Sequence, residues 1–379
     1  MMQRQRHRQV GFAEILSIVA VVLIVLASMM NQWIKPESAN TLVYGVASLV
    51  RALMNLGVPL LFMTLGSRML GRRRTEKYSH FMLYKVILGL VIPFVLFSAV
   101  YYLNDCVRQG APMSVGHFLR LFTLGEICDD FRIVYTIILI FLLLPFLDQL
   151  ITALTRRELR TLILVILGVT ALKTLSFAIM TTGHFMFSSF SLPDLMTYVN
   201  FCLLGYYLSN FTLQKKTRYR IYIAALVMLG ISLGIDARFA PTEIRGALID
   251  QRMIAIVLCS MAVFVWTKLR CCKCAEKKVD EESRKVSLPL AIYSLMVYMI
   301  VRERVTPRMA SFYQPEGILQ GLAFILIDGM MVIILSLMVA AVTYITYGYF
   351  ARWVGLLIQR IRQVCQDRWL GERDAFWLE

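Results

Sequence analysis

The sequence predicts an all-α polytopic membrane protein of about ten transmembrane helices, with both termini on the cytoplasmic side. Three observations carry that reading. The 379 residues are 58% apolar and only 17% charged, with a mean hydropathy of +0.66, whereas a soluble domain carries about 25% charged residues. A soluble fold of this composition would expose large apolar patches. Apolar runs long enough to cross a hydrocarbon core of about 30 Å recur along the whole chain. Lys and Arg are distributed unevenly between the segments that join those runs. Disorder, collagen and a small disulfide scaffold are excluded by 21 Gly, 10 Pro and 8 scattered Cys.

The runs fall at about 11–30, 43–67, 81–103, 133–154, 161–182, 192–212, 221–236, 252–267, 287–301 and 319–346. Each is read as a helix, because in lipid a segment must satisfy its own backbone hydrogen bonds. Arg4, Arg6 and Arg8 precede the first run as they would in a secretory signal, but the run is too long for one. It reads as an uncleaved first helix. Pro59 and Pro93 lie inside runs, where a missing N–H kinks a helix. With the N-terminus inside, the inner segments hold 27 Lys and Arg and the outer ones 10, as the positive-inside rule requires. The same distribution accounts for the net charge of +16 and points to contacts with anionic lipid, not to nucleic acid.

Residues 1–350 form the membrane domain in this reading, and 351–379 a cytoplasmic tail. In the tail, Trp353, Leu356, Leu357, Ile358 and Ile361 are interleaved with Arg352, Arg360 and Arg362, the pattern of a basic amphipathic helix lying on the inner membrane surface. Cys271, Cys272 and Cys274 lack a nearby fourth ligand, so a zinc site is not expected and reduced or lipidated thiols are. Cys106 and Cys128 share the largest outer loop and would close it with a disulfide if that loop faces an oxidising space.

Ionisable groups inside spans are expensive and mark function by default. Glu14, Arg51, Lys85, Lys173 and Asp328 fall in this class, with His184 and Asp236 near outer helix ends. Glu14, Lys85 and Lys173 have an alternative reading, since each is near enough to an edge to reach the interface. Arg51 and Asp328 sit in otherwise apolar runs and need a partner, either as a structural ion pair or at a working site. His184 is a candidate general base or a solvated loop histidine. No phosphate-binding glycine loop, nucleophile elbow or HExxH zinc motif occurs, and no internal repeat argues for inverted transporter halves.

Five segments together resemble the bacterial membrane acyltransferase 3 family, integral membrane O-acyltransferases of surface polysaccharides. They are Val58-Pro59-Leu60-Leu61-Phe62-Met63-Thr64-Leu65-Gly66, Val91-Ile92-Pro93-Phe94-Val95-Leu96-Phe97-Ser98, Leu142-Leu143-Leu144-Pro145-Phe146-Leu147, Leu203-Leu204-Gly205-Tyr206-Tyr207-Leu208 and Ala291-Ile292-Tyr293-Ser294-Leu295. The resemblance implies transfer of an acyl group from cytoplasmic acyl-CoA to a hydroxyl of a surface glycan or lipid-linked sugar, in the bacterial plasma membrane, with no bound cofactor or metal. The family's catalytic histidine in the first span aligns with Val25, its upstream arginine with Ser17, and the acidic residue before that with Glu14. The arginine before its Val-Pro aligns with Asn55, and Arg51 lies four residues earlier on the same helical face. The late histidine becomes Met296. The resemblance therefore implies a displaced base, drawn from His184, Asp328 or Glu14, with Arg51, Lys85 and Asn55 holding substrate. A non-catalytic relative that binds or passes a glycan or lipid intermediate, and a transporter marked by Arg51 and Asp328, are the other readings.

Overall fold

The computed structural model describes residues 2–33, 41–71, 87–110, 113–127, 131–179, 192–238, 249–274, 292–298, 300–302, 305–307, 309 and 318–376. Regular structure among them is entirely helical. In chain order the helices are α1 (Met2–Trp33), α2 (Thr41–Met54), α3 (Gly57–Met69), α4 (Ile92–Gln109), α5 (Val115–Leu124), α6 (Arg132–Ala153), α7 (Arg156–Ile179), α8 (Leu192–Asn210), α9 (Lys215–Arg238), α10 (Ile254–Cys274) and α11 (Ile318–Phe376). Helical backbone also covers 292–298. Among the described residues six stretches are long and apolar enough to cross a membrane: Phe12–Met30, Gly45–Met69, Gly89–Arg108, Arg132–Ala153, Lys215–Asp236 and Ala323–Phe350. The runs expected at 161–182, 192–212 and 252–267 fall on α7, α8 and α10.

Both expected proline breaks have a visible cause and a visible consequence. Pro59 has no N–H to offer the Asn55 carbonyl, so the second apolar run parts at Asn55 and Leu56. The Asn55 N–H ends α2 on the Arg51 carbonyl at 2.9 Å, and the Leu60 N–H begins α3 on the Leu56 carbonyl at 3.1 Å. Pro93 likewise leaves the Gly89 carbonyl without its donor four residues on. A π-helical turn at Ile87–Val91 precedes α4 there, and the Tyr293 hydroxyl donates to that carbonyl at 3.0 Å. The polar group that proline orphans is thus recovered from another helix, as burial demands.

The centre of the bundle is formed by α1, α3, α8 and α10: α3 packs on both α1 and α8, α10 packs on all three, and α11 lies against α1. Gly66 of α3 and Gly205 of α8 face each other's backbones: a Cβ on Gly66 would fall on the Cys202 carbonyl, and one on Gly205 on the Met63 carbonyl. Two helices without side chains at their crossing approach backbone to backbone, the small-residue packing that replaces the hydrophobic effect within lipid. Gly57 plays the same part against α1, where a Cβ would lie 2.7 Å from the Ala20 carbonyl oxygen. Apolar side chains that a soluble protein would bury instead cover the outside. Leu164, Val165 and Leu172 of α7, Ile223 and Leu226 of α9, and Met330, Ile334, Met338 and Val342 of α11 are all exposed. That inversion is what a lipid solvent selects.

Residues 351–376 continue α11 as one helix of 59 residues, about 90 Å long at 1.5 Å per residue.

Candidate functional site

Two groups of polar side chains sit at opposite ends of α1. The first lies where α1 begins and where α3, α6, α8 and α10 end. Glu14 is buried, and its carboxylate meets Arg68 of α3 at 3.8 Å. The Ser17 hydroxyl, also buried, donates to the Glu14 carbonyl at 2.8 Å. Beside them Asp148 of α6 accepts the Gly71 N–H at 2.7 Å. Gly71 has φ +76°, and a side chain there would meet the Tyr206 ring. Lys268 of α10 donates to the Leu208 and Ser209 carbonyls at 2.6 and 2.7 Å. An ammonium on the last carbonyls of a helix is favoured by the helix dipole. The Arg156 guanidinium covers the Phe211 ring at 4.7 Å.

These contacts tie helix ends to one another. Glu14 does not extend toward the interface; it joins α1 to α3. Asp148 and Lys268 were not among the sequence candidates. Asp148 lies six residues inside an apolar run that ends at 154, and it was the one carboxylate of that run; counting spans for interior charge would have found it.

The second group lies toward the other end of α1. The Asn55 amide donates to the Ile249 carbonyl at 2.7 Å, so the break in the second span is pinned to the turn that leads into α10. Asn55 therefore holds backbone to backbone. Arg51, one turn earlier, is partly buried, and its Nε has no hydrogen-bond partner among the described residues. Ser28 of α1 accepts a hydrogen bond from Arg302 at 2.6 Å, and Arg302 is itself buried. Gly329 of α11 packs directly on Leu26 and Met29, which places Asp328 at the same height on α1 as Ser28.

Asp328 is completely buried, and neither carboxylate oxygen has a cationic partner among the described residues. The Thr306 hydroxyl oxygen is likewise enclosed and makes no hydrogen bond among the described residues. Arg51 and Asp328, the two candidates hardest to dismiss from sequence, do not form an ion pair with each other. Arg302 and Thr306 escaped sequence reasoning because the ninth run was drawn to end at 301, which turned Arg302 into a loop charge. His184, Lys85 and Cys128 lie outside the described residues. Cys106 is a buried free thiol next to Tyr102. Among the described residues no three His, Cys, Asp or Glu side chains gather as a metal site.

The family model for an acyltransferase domain, Acyl_transf_3, matches residues 11–302. The chain belongs to the acyltransferase 3 family. No curated protein and no solved structure matches it. The matched region runs from the start of the first span to Arg302 and includes the whole α1–α3–α8–α10 core. Family membership points to acyl transfer by a multi-pass membrane protein. Val25 and Met296, which the sequence resemblance sets against the family's histidines, are both buried in the apolar core, and neither side chain can take up a proton. Asp328 lies beyond the matched region, and its neighbour Gly329 packs on Leu26 and Met29, next to Val25 on α1.

Proposed function

We propose that this protein transfers an acyl group, acetyl in the simplest case, from acyl-CoA on the cytoplasmic side to a hydroxyl of a surface glycan or lipid-linked sugar. In this reading the chain crosses the bacterial plasma membrane ten times with its N-terminus inside, and its basic segments rest against anionic lipid. The observation that carries the proposal is the family match over the first nine expected spans.

The reaction joins an acceptor oxygen to a thioester carbonyl, and the acceptor hydroxyl must lose its proton as it attacks. Val25 cannot take that proton. Of the three candidate bases, Glu14 is engaged with Arg68, and its helix-tying contact gives it a structural task. Asp328 has no such cationic engagement and sits opposite the turn of α1 that carries Val25, so it is assigned the base. Arg51 supplies a cation for the anionic donor or the developing oxyanion, Lys85 is expected to share that load, and Asn55 keeps the α2–α3 break in place beside them. His184 is retained as the competing base.

Purified protein in nanodiscs, given radiolabelled acetyl-CoA and a lipid extract from the source cells, provides the test. Label moves to lipid or glycan in the wild type. Asp328→Asn lowers the rate about 100-fold or more, in the range general-base removal produces, while His184→Ala stays near wild type. Loss in His184→Ala alone would transfer the role to that residue. Absence of label, together with no thermal stabilisation by CoA, would reject acyl transfer and leave a binding or transport role.

A further inference from the structure

The first turns of α7 and α9 carry a dense excess of cations. Residues 156–160 read Arg-Arg-Glu-Leu-Arg and residues 214–220 read Gln-Lys-Lys-Thr-Arg-Tyr-Arg, seven Lys and Arg against one carboxylate. That carboxylate, Glu158, is held by its own helix start, where it accepts the Thr155 N–H at 2.7 Å. None of the seven cations forms an ion pair among the described residues, and a cluster of one sign draws counter-ions to itself. The fold brings the two stretches together. The Arg156 guanidinium lies on the Phe211 ring, 4.7 Å from its centre, and the Arg218 Nε donates to the Leu213 carbonyl at 2.9 Å. Phe211 and Leu213 are two residues apart in the connection between α8 and α9, which spans at most about 7 Å of chain. One short connection therefore carries a guanidinium from each helix. The Arg218 Nη groups and the N–H groups of Arg156 have no hydrogen-bond acceptor among the described residues.

Exposed apolar side chains continue from these charges along both helices. Arg157 and Arg160 are followed by Leu164 and Leu172 on α7, and Lys216 and Arg220 by Ile223 and Val227 on α9, all of them exposed. Spacings of three and four residues put each set on one helical face. Phosphate belongs at the cations and hydrocarbon along the apolar residues beyond them, the order of a phospholipid standing in its leaflet. A soluble polyphosphate matches the first part of this surface and not the second. Two apolar stripes rising from one cationic base match a lipid with two phosphates and two pairs of acyl chains. We propose that the α6–α7 and α8–α9 connections form a binding site for a diphosphatidyl lipid of the cardiolipin type, held by Arg156, Lys215, Lys216 and Arg218 in the leaflet where α1 begins. The site deepens the anionic-lipid contact proposed above; it rests on that part of the reading and not on acyl transfer.

The experiment titrates the full chain in detergent with cardiolipin, with phosphatidylglycerol at equal phosphate, and with CoA, and counts bound molecules by native mass spectrometry. The wild type is expected to take up one cardiolipin in preference to phosphatidylglycerol. Arg156→Gln/Arg218→Gln weakens that binding by about 30-fold, the worth of two cations at an anionic surface. Lys215→Gln/Lys216→Gln weakens it by a similar factor. The side chains of Lys215 and Lys216 are exposed and hold nothing else among the described residues, so this variant reports even if the double arginine variant fails to fold. Arg108→Gln/Arg120→Gln removes the same charge from exposed positions on α4 and α5 and leaves cardiolipin binding unchanged. Equal binding of the two lipids, or unchanged cardiolipin binding in the arginine and lysine variants, overturns the site and leaves a general attraction of basic segments for anionic lipid. CoA binding that Arg156→Gln/Arg218→Gln abolishes, with cardiolipin unbound, overturns the lipid as occupant and gives these cations to the acyl donor. Selective cardiolipin binding by a protein that transfers no acyl group supports the site and rejects the enzyme.

Discussion

At the scale of single residues, the tightest constraint in the molecule is the absence of a side chain. A methyl group on Gly66 would occupy the space of the Cys202 carbonyl, which belongs to backbone and cannot rotate aside. Alanine gains about 1 kcal/mol over glycine from helix propensity, but overpacking at a backbone contact costs about 1–3 kcal/mol, so Gly66→Ala is expected to lower the melting temperature. Gly168 and Gly230 are also helical and have nothing within 4 Å of an added Cβ. Their alanine variants should melt at or above the wild type, and a Gly66→Ala protein that behaved as they do would show that α3 and α8 do not cross this closely. Glu158 gives a second residue-scale test outside the membrane. Its carboxylate accepts the Thr155 N–H at 2.7 Å while the Thr155 hydroxyl receives the Glu158 N–H at 3.4 Å, a capping box at the start of α7. The Thr155 N–H holds the carboxyl below its ordinary value of 4.5. A group depressed on folding stabilises the protein above the unfolded value and loses that contribution as pH falls through the folded one. The stability gap between wild type and Glu158→Ala should therefore persist near neutrality and close as the pH is lowered past about 4.5; a gap independent of pH would remove the carboxylate from the cap. Sequence reasoning reached single residues unevenly. Asp328 was legible because a carboxylate in an apolar run has no innocent explanation. Ser28 was not, because a hydroxyl in a helix is ordinary until its partner, here Arg302, is known.

At the scale of elements, the proline breaks were readable and their purpose was not. A missing N–H at Pro59 predicts that the helix yields nearby; it does not say that the freed turn will turn Asn55 outward to the Ile249 carbonyl at 2.7 Å. Geometry across 194 residues of chain is not written in a local pattern. The two features are linked, and the link can be measured. Pro59→Ala restores a donor for the Asn55 carbonyl and draws α2 and α3 toward one continuous helix, which pulls the amide from its partner. Asn55→Ala alone should cost about 1 kcal/mol, the net value of a buried hydrogen bond. In the Pro59→Ala background the same change should cost little, so a double-mutant cycle read by denaturation gives a coupling of similar size. Additive effects would mean that the break and the bond are independent. The tail shows another limit: an alternation of apolar and basic residues describes the sides of a helix and not its extent, and residues 351–376 continue α11.

At the scale of the whole molecule, the helices agree on one axis. Arg68 ties the end of α3 to the beginning of α1, Asp148 ties α6 to Gly71 just past α3, and Lys268 ties α10 to the end of α8, so helix ends are joined in pairs on the face where α1 begins. In the topology proposed above, with the basic segments inside, the face at Glu14 is the cytoplasmic one, and the Asp328 group would lie toward the proposed acceptor side. The short apolar helix α5 marks that other face. It follows α4, buries none of its own residues completely, and exposes Val115, Leu119 and Leu124 while Phe118 and Phe122 stack toward Tyr102 and Tyr135. Such a helix fits the boundary between headgroups and hydrocarbon. A cysteine-free background carrying Glu126→Cys, just after α5, or Gln214→Cys, in the connection between α8 and α9, separates the two orientations in intact cells. A maleimide that cannot cross the membrane should label position 126 without permeabilisation and position 214 only after it. The reverse pattern would invert the molecule and place Asp328 on the donor side. It would then reject the proposed topology with the N-terminus inside, however active the protein proved to be.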